Sequence, residues 1–340
     1  MVDSCTSKLL GHWLILTLKR PNKINVLNLE MIEFLLKHLK EASENPKVKA
    51  IFLHGEGERG LCAGGDVVSV VEGQKEGRPY DFFFKREYEL DLLIHEFSKP
   101  VVVYGHGFTM GGGIGLLMGG ALKILGPNST LAMPEVHIGL FPDVGASYFL
   151  GKLPRNLKLF LAMTGAHFNE SDAIDWGLID FVIEKDKIFE LLNENISFKD
   201  LKQKLADQNI TSVGVKNDWQ EFIENLSFEG LLEFEKSLST LKNERGDNKQ
   251  FKSLLGFFSA SPLSKVLIWE YFNLSQSINV RDSFRFDLKC ARYLSAFSDF
   301  HEGVRAQLID KDKNPKWSNR NTQEALIQHQ SAIKKIFKTS

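Results

Sequence analysis

The first 180 or so residues alternate between two hydrophobic rhythms. "HWLILTL" (12–18) is a short apolar run of strand character, a turn follows at "KRPNK", and from Asn28 to about Ala42 apolar residues recur at three- and four-residue steps, which predicts a helix. "VKAIFLHG" (48–55), "KPVVVYG" (99–105) and "ALKILG" (121–126) read as further strands. A helical pattern over residues 81 to 97 separates the first two, and a glycine run opens another helix before the third. Such alternation predicts an α/β domain with right-handed crossovers. From about Phe189 onward the rhythm changes. "FELLNENISFKDLKQKLADQ", "DWQEFIENL" and "GLLEFEKSLSTLKNE" keep helical spacing, and 22 of the 27 glycines and 8 of the 10 prolines lie before residue 181. The second half is therefore predicted to be mostly helical. "LKNERGDNKQ" (241–250) is expected to be a flexible loop, and the polar tail is expected to fray after Pro315 until "EALIQHQSAIKKIF" forms a last amphipathic helix.

Composition narrows the function classes. Across 340 residues, 42 basic side chains nearly cancel 43 acidic ones, so no global charge argues for nucleic acid or a membrane surface as partner. An anionic ligand would need a local basic site. Cys5, Cys62 and Cys290 are scattered and form no CxxC, which fits a reducing compartment better than a disulfide scaffold. No apolar run approaches the roughly 20 residues that span a bilayer, and the start shows neither a signal nor a transit pattern, so a cytoplasmic location is expected. There is no GxSxG (Ser147 lies in "GASYF"), and "HEFSK" and "HEGVR" lack the second histidine of HExxH, which leaves a serine thioesterase or a zinc hydrolase unsupported. For His106 and His137 the expected role is a satisfied structural imidazole, and for Cys62 a small buried filler.

Two features remain to be explained. "VVVYGHGFTMGGGIGLLMGG" places glycines between a strand and a helix without the spacing of a phosphate loop. Glycines at a helix start can serve tight packing, or they can let a ligand approach free backbone N–H groups, and two such groups from different loops form an oxyanion hole. The matching loop is "GLCAGGD", where Gly64 and Gly65 precede Asp66 at another loop-to-helix junction. The second feature is "AMPEVHIGLFPDVGAS", which sets Glu135 and Asp143 eight residues apart, each directly after a proline. Acids there either favour helix starts or do chemistry.

These stretches, with "LTLKRPNKINVLNLEMI", resemble the crotonase (enoyl-CoA hydratase/isomerase) superfamily in content and order over roughly residues 10 to 180. "CAGGD", "TMGGG", "AMPE…IGLFPDVG" and, downstream, "FHEGVRAQLIDKDKNPKW" are most similar to its 3-hydroxyisobutyryl-CoA hydrolase branch, which extends the likeness to about Trp317. The resemblance implies an α/β spiral of ββα turns with a mostly helical C-terminal region: one domain over 8–335, with a core at 1–195 and the helical region at 196–340. It implies an acyl-CoA substrate, whose coenzyme is part of the substrate, so no separate cofactor and no metal are expected. It implies thioester oxygen binding by the N–H groups of Gly65 and Gly112, Glu135 as the catalytic carboxylate, Asp143 as a second acid of this branch, and Glu87 in "FKREYEL" as a substrate contact, although Glu87 also suits a solvated helix face. Homo-oligomers are common in that superfamily, so a homo-oligomer is an expectation, which the helical region could block. The route it implies is a step of valine catabolism.

Within that superfamily the residues separate two chemistries. Hydratases use a second glutamate three residues after the oxyanion glycine, and here that position is Gly115, which cannot move a proton. Thioester hydrolysis needs less, because a thiol with a pKa of roughly 8.5 leaves near neutral pH with little acid assistance. Thiol release from a short 3-hydroxyacyl-CoA is therefore expected, with an enoyl-CoA hydratase or isomerase and a non-catalytic assembly protein as the alternatives. One departure stands out: Ala146–Ser147 follows "PDVG" where the family tends to carry another glycine.

Overall fold

Asn28 starts the first long helix as the sequence pattern expects. Its side chain accepts a hydrogen bond from the Met31 N–H at 2.9 Å, and α1 (Leu29–Glu44) then buries Met31, Ile32, Leu35, Leu36 and Leu39 along one face. The computed structural model describes residues 4–79, 81–207, 223–224, 226–245, 252–275 and 277–338. The chain forms two compact units. One comprises Met1–Asp66, Lys85–Leu131 and Phe168–Val215, and the other Val67–Phe84, Ala132–His167 and Lys216–Ser340.

The first unit is built on a six-stranded sheet in the order β1 (Cys5–Leu10), β2 (Trp13–Leu18), β3 (Ala50–Gly55), β4 (Val101–Gly105), β6 (Leu122–Leu125) and β9 (Phe181–Val182). Only the β1–β2 hairpin is antiparallel; each later pairing is parallel, and the strands advance across the sheet in chain order. A second, three-stranded sheet takes β5 (Phe108–Met110), β7 (Thr130–Ala132) and β8 (Phe168–Asn169). Successive turns thus place one strand in the large sheet, a shorter one in the small sheet, and then a helix, α4 (Gly112–Gly119) being the clearest case. Inner strands such as β3 are buried along their whole length, as parallel strands covered on both faces must be. One face packs Trp13, Phe52 and Tyr104 against Ile188, Leu192 and Leu201. The buried Trp13 indole donates to Ile196 O at 2.7 Å, which removes its one unsatisfied polar atom.

The second unit is helical, and from Phe189 onward the described elements of the chain are helices, as the sequence pattern predicts. Its helices include Arg155–Thr164, Leu231–Arg245, Lys252–Ser259, Pro262–Leu274, Val280–Ser295, Ser298–Val304 and Thr322–Phe337. Phe234, Phe257, Tyr271 and Phe300 are among its fully buried side chains. Two expectations change. Residues 241–245, the front of the expected loop, belong to the helix Leu231–Arg245, and the rest of that stretch and most of "DWQEFIENL" lie outside the described residues. The segment after Pro315 is anchored rather than frayed: the Trp317 indole donates to Ser259 O at 2.9 Å and the Ser318 N–H donates to Asp299 Oδ1 at 2.8 Å. No helix among the described residues is long and apolar enough to cross a membrane.

Candidate active site

In the first unit two glycine loops meet. β3 runs into a loop that is pinned at both ends by β-bridges, Leu27 to Gly65 and Cys62 to Thr109. The Leu27 N–H donates to Gly64 O at 2.9 Å and the Asp66 N–H donates to Leu27 O at 2.9 Å. Gly64 takes φ 112°, a conformation open to glycine. On the other side the Met110 N–H donates to Cys62 O at 2.9 Å, the chain turns at Gly111, and α4 begins at Gly112. The first N–H groups of a helix have no acceptor within it and point outward along its axis. A methyl group on Gly112 would stand 3.4 Å from the Gly65 amide nitrogen and only 2.2 Å from Glu87 Oε1. Gly113 is the packing glycine, since a methyl there would meet Cys62 O at 2.3 Å. The packing reading of the glycine run therefore holds at Gly113. The bare Cα of Gly112 brings the start of α4 up to the Gly65 amide, and that of Gly113 seats the helix on the loop.

Glu87 lies on α3 (Asp81–His95), and the solvated-face reading does not hold for it. It is 3% exposed, and its neighbours Arg86 and Glu89 carry the surface ion pairs. The structure brings Gly65, Gly112 and Glu87 together from three separate elements.

In the second unit Glu135 and Asp143 stand on consecutive turns. Glu135 is the first residue of a 3-10 turn (Glu135–Ile138) that Gly139 closes at φ 71°. Asp143 heads the turn into the short helix Ala146–Phe149, its carbonyl accepting the Ala146 N–H at 2.9 Å. They are 7% and 5% exposed. Glu135, directly after the N-cap Pro134, occupies the first turn and fits the helix-start reading, whereas Asp143 lies two residues before the N-cap Gly145 and outside its helix. The residue after Asp143 is under strain. Val144, β-branched and buried, is held at φ 48°, a conformation costing on the order of 1–3 kcal/mol.

Both turns rest on helices far downstream. Under Glu135, the helix Ser298–Val304 packs backbone to backbone. A methyl on Gly139 would lie 2.4 Å from Asp299 O, and Asp299 itself accepts from the Ser261 hydroxyl (2.6 Å) and the Ser318 N–H (2.8 Å). Arg305 then ties Glu302, Asp310 and Asp312 together. The downstream motif "FHEGVRAQLIDKDKNPKW" is thus the buttress of the Glu135 turn. Under Asp143, Asp287 Oδ2 accepts the Gly145 N–H at 2.7 Å, the Tyr271 hydroxyl accepts the Ser147 N–H at 3.0 Å, and that hydroxyl donates to Asp287 Oδ1. Complete burial holds the Asp287 carboxyl well above the ordinary carboxylate range, and the charge of Asp143 pushes it the same way. Sequence reasoning missed Asp287, Tyr271, Asp299 and Gly303. One signal was available for Asp287, which falls three residues after Phe284 and four before Ala291, an acid on the apolar stripe of a helix.

The remaining candidates take structural roles, although His106 is satisfied at Nε2 alone, its Nδ1 being buried without a hydrogen-bond partner among the described residues. His137 Nε2 pairs with Thr164 O at 2.9 Å and His106 Nε2 with Gly57 O at 2.7 Å, burial lowering the pKa of both. Burial pushes the Cys62 thiol up to about 12, so it is inert as a thiolate. Ser147, at the family departure, is buried with its hydroxyl 2.7 Å from that of Ser283, and Ala146 is fully buried.

This succession of ββα turns is a fold shared with known proteins. The sequence profile of the enoyl-CoA hydratase/isomerase family matches residues 13–337, and the chain belongs to that family. Among curated proteins it is 34% identical to "3-hydroxyisobutyryl-CoA hydrolase, mitochondrial" of Xenopus tropicalis, over 89% of this chain and 81% of that protein. It is 30% identical to the Homo sapiens protein of the same name, over 91% and 83%. Among solved structures it resembles a carnitinyl-CoA dehydratase from Mycobacterium thermoresistibile (TM-score 0.86, 28% identity, covering 99% of this chain and 97% of that one). It also resembles an enoyl-CoA hydratase from Rhodobacter sphaeroides 2.4.1 (TM-score 0.85, 26% identity, 98% and 97%). The expected crotonase-type fold is the fold observed.

Proposed function

We propose that this chain hydrolyses short 3-hydroxyacyl-CoA thioesters, 3-hydroxyisobutyryl-CoA foremost, to the free hydroxy acid and CoA. The observation that carries the reading is the approach of the α4 start to the Gly65 amide: two backbone donors from separate loops, beside a buried glutamate. In this role the N–H groups of Gly65 and Gly112 stabilise the negative charge that develops on the thioester oxygen, a contribution whose loss costs on the order of 100- to 1000-fold in other hydrolases. Glu135 attacks the thioester carbon or deprotonates the attacking water. Asp143 holds the substrate's 3-hydroxyl, and Glu87 contacts the acyl portion. The names of the curated relatives support the hydrolase reading over the hydratase names of the solved structures. So does Gly115, which lies in α4 where a hydratase would place its second carboxylate.

A thiol-release screen over acyl-CoAs tests this. Wild type is expected to release CoA from 3-hydroxyisobutyryl-CoA and not to hydrate crotonyl-CoA, and Glu135→Gln is expected to lower kcat by on the order of 100-fold or more. Hydration of crotonyl-CoA without thiol release would make the protein a hydratase. Inactivity on every acyl-CoA would make it a binding protein. A single turnover in oxygen-18 water separates the two routes: label in Glu135 marks an anhydride, and label only in the product marks water activation.

A further inference from the structure

Asp143 introduces a turn that is strained and is held partly from outside. The chain passes through two successive left-handed residues, Val144 at φ 48° and Gly145 at φ 85°, and Gly145 has no side chain with which to cap the helix Ala146–Phe149. The capping acceptors come instead from helices more than 120 residues away. Asp287 takes the Gly145 N–H at 2.7 Å and Tyr271 takes the Ser147 N–H at 3.0 Å, the two side chains being joined through the Tyr271 hydroxyl. Both are 0% exposed. Apolar contacts complete the seat: Phe141 lies edge-on to the Tyr271 ring with centroids 5.2 Å apart, and a methyl on Gly145 would meet Phe284 Cζ at 3.3 Å.

Burying a carboxylate is costly, and apolar residues of the same volume generally stabilise a core at least as well. What a buried carboxylate supplies that they do not is direction, since both of its oxygens are committed, one to the Gly145 N–H directly after the strained Val144 and one to the Tyr271 hydroxyl, which itself accepts the Ser147 N–H. We propose that Asp287 and Tyr271 form a positioning pair that fixes the orientation of Asp143 and thereby sets the preference for 3-hydroxyacyl over unsubstituted acyl thioesters. This rests on the reading of Asp143 as the group that holds the substrate's 3-hydroxyl. The pair does not touch substrate; it acts through the backbone of residues 143–147.

The test compares kcat and KM for 3-hydroxyisobutyryl-CoA and isobutyryl-CoA in wild type, Asp143→Asn, Asp287→Asn and Tyr271→Phe. Asp143→Asn is expected to erase most of the preference for the hydroxylated substrate. Asp287→Asn and Tyr271→Phe are expected to lower that preference on the order of tenfold or more, acting on the hydroxylated substrate selectively, as misplacement of a contacting group does. A merely structural role would lower both substrates together. If Asp143→Asn leaves the preference unchanged, the role given to Asp143 fails and the inference falls with it. If Asp143→Asn erases it while Tyr271→Phe, which keeps the ring and its packing, leaves it intact, the positioning role alone is overturned. Tyr271→Phe also decides the matter should Asp287→Asn not fold.

Discussion

Gly303 lies against Ile138 with no room for a side chain: a methyl group on Gly303 would stand 2.4 Å from the Ile138 carbonyl carbon. The contact seats a helix of the C-terminal region on the turn whose first residue is Glu135. Gly303→Ala is therefore expected to destabilise the protein by about 1–3 kcal/mol through overpacking, although alanine in a helix ordinarily stabilises by up to ~1 kcal/mol relative to glycine. It should also lower kcat, because the Glu135 turn must shift. Urea denaturation and thiol release on the same preparation check both. A variant as stable and active as wild type would refute the buttress.

Gly112→Ala places a methyl 2.2 Å from Glu87 Oε1, next to the Gly65 amide. Rate is expected to fall on the order of 100-fold, with the loss mainly in kcat, as the contact proposed between Gly112 and the transition state requires. Steady-state kinetics give the split. A change confined to KM would move Gly112 from oxyanion binding to ground-state binding.

Stability should decline in mild acid. Burial, with the neighbouring Lys185 charge acting the same way, lowers the His54 pKa from 6.5 to about 4. The folded value lies below the unfolded one, so the stability contributed by neutral His54 is complete above pH 6.5 and is lost as pH falls toward 4. At about 1.4 kcal/mol per unit, this comes to roughly 3 kcal/mol. His137 and His106, also lowered by burial, add in the same direction. Urea midpoints between pH 7.5 and 4.5 should fall in wild type and fall less steeply in His54→Gln.

The hydroxyls of Ser147 and Ser283 pair at 2.7 Å in a fully buried setting. Ser147→Ala alone leaves Ser283 without that partner and should cost about 1–2 kcal/mol, while adding Ser283→Ala should cost less than the sum of the single changes. A double-mutant cycle by chemical denaturation measures the coupling. Substrate preference is expected to respond less than stability, because the Ser147 hydroxyl is committed to another helix.

Local rules carried much of the architecture. Asn28 before an apolar three-and-four pattern marks a helix start, because a cap and a buried stripe are both set by neighbours in the chain. The runs at 12–18, 48–55, 99–105 and 121–126 become the inner strands of the large sheet for the same reason. The strands Phe108–Met110, Thr130–Ala132 and Phe168–Asn169 left no usable trace, since two or three residues are too few to show a period. The tail after Pro315 reads as loose because it is polar, yet it is anchored by Trp317 and by the acceptor Asp299, neither of which local pattern can pair with a partner.

What this sequence determined alone is the order of its longer elements and its family, and it supplied Gly65, Glu87, Gly112, Glu135 and Asp143 as the candidates for chemistry. Tertiary structure decided that Gly65, Gly112 and Glu87 are neighbours, that Glu87 is buried rather than solvated, and that Asp287 and Asp299 hold up the turns bearing Asp143 and Glu135. The physical reason is that burial pattern tells which face of a helix turns inward, whereas a hydrogen bond of 2.7 Å between Gly145 and Asp287 depends on where two distant backbones come to rest.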